Sequence, residues 1–132
     1  MASANEATVR QVYAAANRRD MDSILAGSHT DVEVRPVLGA NPGADIYNGH
    51  DGVRHWMKDL WAEWETFEIA VGEVVERRDR LLYPVGIRGR GRASGALIEG
   101  EIFHLATMRD GLMGRIEGFT DRESAMRALE AT

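Results

Sequence analysis

The stretch from Arg80 to Arg122 constrains the fold more than any other part of the chain, because it reads as two consecutive β-hairpins. Ala93-Ser94-Gly95-Ala96 supplies the first reversal and Arg109-Asp110-Gly111 the second, Asp-Gly being a pair that accepts the positive φ values of tight hairpins. A reversal symmetric about Ser94 and Gly95 sets Arg92 against Leu97, Arg90 against Glu99 and Arg88 against Glu101. Opposite charges then meet on one sheet face, each pair contributing about 0.2–1 kcal/mol. The other face carries Tyr83, Val85, Ile87, Ile98, Ile102 and one histidine, His104, set opposite Val85. A curved apolar face that holds a single titratable group has the character of a pocket wall.

Upstream, Val9, Val12, Tyr13 and Ala16 recur at helical spacing over Glu6 to Arg19, and Asp20 and Gly27 bracket a short second helix holding Ile24 and Leu25. Asp31 to Val37 alternates as a half-buried strand that Pro36 stops. Leu38 to Gly49, with three glycines, Asn41-Pro42 and Asn48-Gly49, reads as a long loop suited to a pocket rim or lid. Gly52 to Glu65 is the strongest helix: Val53, Trp56, Met57, Leu60, Trp61 and Trp64 form one stripe, opposite Arg54, Lys58, Asp59 and Glu63. Phe67 to Val75 alternates as a strand, and Arg77-Arg78-Asp79 turns the chain into the hairpins. Thr120 and Glu123 form a capping-box pattern for a last helix over Asp121 to Glu130, with Asp121 favoured in its first turn by the helix dipole. Helices followed by a run of antiparallel strands predict an α+β fold, with helices packed on a strongly curved sheet. Gly86, Gly89, Gly91, Gly95 and Gly100 permit the bending.

The length of 132 residues fits one domain, and 44% hydrophobic content supports a real core. A net charge of -5 argues against a nucleic-acid partner. With no cysteine the chain offers neither disulfides nor thiolate metal ligands, and His50 and His55, five apart, do not share a helical face as two ligands would. No metal and no cofactor are expected. No apolar run approaches the roughly 20 residues that span a bilayer and no leader pattern opens the chain, so the expectation is a cytoplasmic protein without membrane contact.

The element order resembles the SnoaL-like branch of the nuclear-transport-factor-type cone superfamily, which includes polyketide cyclases and ketosteroid isomerases. The resemblance rests also on Asn17-Arg18-Arg19-Asp20, Asp31-Val32-Glu33-Val34-Arg35-Pro36, Tyr47-Asn48-Gly49-His50-Asp51-Gly52-Val53, Arg109-Asp110-Gly111 and Thr120-Asp121-Arg122-Glu123. It covers nearly the whole chain, residues 1–132. It implies a single cone-shaped domain: a curved, mostly antiparallel sheet with N-terminal helices on its concave face, a deep hydrophobic pocket and a homodimer. The family's catalytic acids do not carry over. The strand-ending aspartate of the isomerases has Arg35-Pro36 in its place, their helix-one tyrosine falls at Val12 beside Tyr13, and the arginine and aspartate of the epoxide hydrolases fall at Val85 and Ile87. The last-strand aspartate shared by the epoxide hydrolases and the SnoaL-type cyclases falls near Gly118, beside Glu117.

His104 is the first functional candidate, as an acid/base; a core histidine satisfied by a neighbour is the plain alternative. A two-residue Asp-Gly turn places Glu117 opposite His104 as a dyad, whereas a three-residue turn with a Gly111 bulge places Ile116 there and turns Glu117 away. Tyr83 and Tyr13 are candidates to reach a carbonyl or enolate oxygen. Trp56, Leu60, Val85, Ile87, Ile102, Ile116 and Phe119 complete the expected pocket lining. The implied function is a cofactor-independent cyclase, isomerase or dehydratase acting on an apolar oxygenated small molecule such as a polyketide, steroid or terpenoid. The alternative is a binding module that holds a hydrophobic small molecule without transforming it. The outer sheet face, with Leu97, Phe103, Leu105 and the Arg–Glu ladder, is the expected homodimer surface.

Overall fold

A computed structural model describes residues 2–37 and 45–131. Two helices open the chain, α1 (Ala4–Asn17) and α2 (Met21–Ala26); Ser3 caps the first and Asp20 the second, each side chain accepting from a backbone N–H three residues on. β1 (Ser28–Arg35) ends at Pro36, as the missing N–H requires. The long loop expected over Leu38 to Gly49 lies largely outside the described residues. Its end is ordered: Tyr47–Asn48 is a short strand, β2, on the β1 edge, and α3 (Gly49–Glu63) starts three residues before the expected Gly52. β3 (Trp64–Val71), β4 (Val75–Arg77), β5 (Arg80–Gly91), β6 (Leu97–Arg109), β7 (Leu112–Phe119) and α4 (Arg122–Glu130) follow.

Among the described residues the strands form one seven-stranded sheet, ordered β2-β1-β7-β6-β5-β3, with β4 also pairing with β5. Only the β1–β7 pair is parallel. α1, α2 and α3 bring Val9, Val12, Tyr13, Ile24, Leu25, Val53 and Met57 onto its concave face, against Val32, Val34, Leu81, Tyr83, Val85 and Ile116. The chain is therefore an α+β cone. α1 is tied along the β3 edge by polar side chains: Arg10 donates to the carbonyls of Val71 and Gly72 (3.1 and 2.9 Å), and Asn17 both donates to and accepts from the Ile69 backbone (2.9 Å each). An open strand edge is thereby covered.

The hairpin register differs from expectation by two residues. Arg88 pairs with Glu99 and Arg90 with Leu97, so His104 sits opposite Tyr83, not Val85. The reversal is longer than a symmetric Ser94-Gly95 turn: Gly95, at φ 68°, closes onto the Gly91 carbonyl, and Arg92 leaves the ladder. Its backbone N–H reaches Glu63 O at 3.0 Å, and its guanidinium reaches the carbonyls of Ala62 and Trp64. Neither expected ion pair, Arg90–Glu99 or Arg88–Glu101, forms; the shifted register makes a different one, Arg88–Glu99 at 3.5 Å and exposed, worth well under about 1 kcal/mol. A shift of two keeps every side chain on its face, so the partition into inner and outer residues survives.

The second hairpin has the two-residue Asp110-Gly111 turn, with φ of 54° and 77°. A bulge also occurs, but at Gly114 and not Gly111: Met108 pairs with Met113 while Thr107 pairs with Arg115. That extra residue moves His104 opposite Gly118 and places Ile116 opposite Ala106. At the C-terminal end the expected Thr120 capping box gives way to Asp121, which accepts from Ser124 N at 2.7 Å. α4 lies on the convex face, where Ala125 and Leu129 bury Leu82, Phe103 and Leu105. Two of the apolar residues expected at a dimer surface are thus covered by the chain's own helix.

Candidate functional site

A cavity opens between the concave sheet face and α1–α3. Val85, Ile87, Ile102 and Ile116 come from the sheet, and Trp56, Met57, Leu60 and Trp61 from the α3 stripe. Alternation along β5 to β7 aims the first group inward, and the 3.6-residue period of α3 aims the second. Val34, Pro36, Val37 and Phe67 add further apolar wall. The polar groups are few and mostly spent. The Asn17 amide is used by the Ile69 backbone, and the Ser28 hydroxyl donates to Ile24 O at 2.8 Å. Among the described residues no carboxylate lines the cavity.

His104 lies in this wall, 6% exposed. Its Nδ1 is 2.5 Å from the Tyr13 hydroxyl, which is also 2.8 Å from the Tyr83 hydroxyl. The three side chains come from α1, β5 and β6, and the two phenol rings meet edge to face at 5.4 Å. Burial alone lowers the His104 pKa to about 4, so the ring is neutral at pH 7. Burial likewise raises both phenol pKa values, which keeps their protons in place. The buried, partnerless side-chain nitrogens and oxygens of the described residues are Trp56 Nε1 and Arg115 Nε. Among the described residues His104 Nε2 has no hydrogen-bond partner, and His104 is one of the residues that line the cavity.

Three expected site residues lie elsewhere than the sequence suggested. Glu117 faces outward, opposite Leu105 and 3.5 Å from Arg115; the Gly114 bulge has turned it from His104, and no dyad forms. Phe119, two residues on, shares that outer face and packs with the residues under α4, outside the cavity. Tyr83 is fully buried behind Tyr13 and its hydroxyl is engaged there, so it does not reach cavity space. Tyr13, Trp56, Leu60, Val85, Ile87, Ile102 and Ile116 all line the cavity with His104. Sequence reasoning missed the Tyr83–Tyr13–His104 chain as a unit. Its members are 70 and 91 residues apart, and only the final register joins them. Gly118, near which the family's last-strand aspartate was placed, lies opposite His104; a Cβ there would lie 2.7 Å from Val37 N, so glycine is what lets the segment after β1 approach this part of the wall.

A curved sheet closed by helices over an apolar cavity defines a cone-type α+β fold. Residues 9–116 match the SnoaL-like domain, and the chain belongs to that family. No functionally curated protein matches it. Among solved structures it resembles TerC, crystallised with polyporic acid, at 25% identity and a TM-score of 0.79, covering 98% of this chain and 100% of that one. An NTF2-like protein of unknown function from Burkholderia pseudomallei gives 23% identity, the same coverages and a TM-score of 0.79. IdmH of Streptomyces antibioticus, a proposed polyketide cyclase, gives 16% identity, coverages of 96% and 99%, and a TM-score of 0.75. The last two likenesses are of fold.

Proposed function

We propose that this protein is a cofactor-independent enzyme that moves a proton on an apolar, oxygenated small molecule of polyketide, steroid or terpenoid type. The outcome would be cyclisation, isomerisation or dehydration next to a carbonyl. The observation that carries the reading is a single neutral imidazole, held by Tyr13 at Nδ1, in an otherwise apolar cavity. In such a medium a positioned hydrogen bond to a developing oxyanion is stronger than in water. Membership of the SnoaL-like family supports the chemistry, and the polyporic acid in the TerC crystals supports the kind of ligand. His104 is the acid of this proposal, its imidazole stabilising the enolate oxygen while solvent takes and returns the α-proton; Tyr13 and Tyr83 position it, and Glu117 has no part in it. A homodimer through the outer sheet face belongs to the same proposal. It rests on exposed Leu97 and the Arg88–Glu99 pair, and a monomer in sedimentation at micromolar concentration removes it.

Deuterium exchange at the α-carbon of 2-tetralone, followed by proton NMR, tests the catalytic claim. The wild type should accelerate exchange, and His104→Gln should lose about 10²–10⁴-fold of that acceleration while keeping the fold. The lack of any carboxylate beside His104 favours a second reading, a binding module that retains such a ligand unchanged. Saturable binding of the ketone with no acceleration of exchange would establish it over the enzyme.

A further inference from the structure

The hydroxyl chain behind His104 shares three protons between two hydrogen bonds, so one is always left over, and where it is left decides the arrangement. Tyr83 is fully buried, and among the described residues its hydroxyl has Tyr13 as sole partner. With the imidazole proton on Nδ1, a phenol proton is left without an acceptor: that of Tyr83 when Tyr13 donates to it, or that of Tyr13 when its oxygen, a poor double acceptor because one lone pair is conjugated with the ring, takes the protons of both neighbours. With the proton on Nε2, Tyr83 donates to Tyr13, Tyr13 donates to Nδ1, and the one proton left over is Nε2–H, on the edge of the ring away from Tyr13. A buried unsatisfied donor biases such an equilibrium by roughly 5- to 150-fold. We infer that the Tyr83–Tyr13 relay locks His104 in its Nε2–H tautomer, so that it meets the cavity as a hydrogen-bond donor and selects ligands bearing a neutral carbonyl acceptor.

The remainder of the wall agrees. One Asn17 amide proton is given to Ile69 O, the Ser28 hydroxyl proton is committed to Ile24 O, and the Tyr13 proton is used by His104. A charged acceptor would lose its hydration in an apolar cavity with no cation to replace it, which leaves an uncharged ketone or quinone oxygen as the fitting partner. Neutrality of the ring at pH 7 is consistent with this role. Tyr83 becomes a positioning residue: it never touches the ligand, yet it decides which nitrogen carries the proton.

The inference rests on the cavity being a ligand site, as proposed above, and two measurements separate the two claims. In the free wild-type protein with ¹⁵N-labelled histidine, ring-nitrogen NMR should show a protonated Nε2 and an unprotonated Nδ1 for His104, assigned by difference with His104→Gln. Tyr13→Phe should abolish that clear preference. Calorimetric titration with 9-fluorenone and with fluorene, which replaces the carbonyl by a methylene, reads the donor. The fluorenone-to-fluorene affinity ratio should fall about 2- to 10-fold in His104→Phe relative to wild type. A proton found on Nδ1 in the wild type overturns the inference, as does an affinity ratio unchanged by the substitution. Failure of both compounds to bind counts against the cavity as a ligand site, and so against the proposed function, while the NMR result still decides the tautomer.

Discussion

Lowering the pH should destabilise this protein specifically through His104. The unfolded imidazole titrates near 6.5, whereas burial holds the folded one near 4. Between those values the unfolded chain binds a proton that the folded chain does not, so the contribution is intact above pH 6.5, falls as pH drops and levels off below about 4. At about 1.4 kcal/mol per pH unit the full loss is about 3 kcal/mol, and about 2 kcal/mol has gone by pH 5. Urea denaturation of the wild type and His104→Gln at pH 7.5, 6, 5 and 4.5 isolates this term. His29, His50 and His55 and all carboxylates are common to both proteins and cancel in the difference. The stability advantage of the wild type should shrink by about 2 kcal/mol between pH 7.5 and pH 5, and can change sign. A pH-independent difference, or one that widens toward acid, would refute the picture of a neutral imidazole held in an apolar wall.

Leu129→Ala should cost about 2–4 kcal/mol in chemical denaturation, because Leu129 is buried against the outer-face residues Leu82, Phe103 and Leu105; a loss well below 1 kcal/mol would mean that α4 does not hold to the sheet. Asn17→Ala should cost about 1 kcal/mol and speed hydrogen exchange at the Ile69 amide, whose partner is Asn17 Oδ1, while leaving the Val85 amide in the centre of the sheet protected; unchanged Ile69 protection would show that α1 does not cover the β3 edge through this side chain.

Periodicity and turn chemistry are local, and what depends on them was legible in the sequence: the short α2 between Asp20 and Gly27, the apolar stripe of α3, β1 ending at Pro36, the Asp110-Gly111 turn, and the inner and outer faces of β5 and β6. These features give the α+β cone and a wall of Val85, Ile87, Ile102 and His104, because alternation along a strand survives any even shift of register. Register itself was not legible. Arg92 left the first hairpin for the carbonyls at the end of α3, and a bulge formed at Gly114, a position that neither alternative for the Asp110-Gly111 turn had included; neither competition has a signature within its own segment. The bulge decided the candidate site. One extra residue exchanges faces, so Glu117 went out to Arg115, Gly118 came in beside His104, and Phe119 joined the layer under α4. The Tyr83–Tyr13–His104 chain is tertiary in the same sense: each residue could be singled out along the sequence, but the order of the hydrogen bonds, and with it the nitrogen that faces the cavity, exists only once α1 closes over β5 and β6.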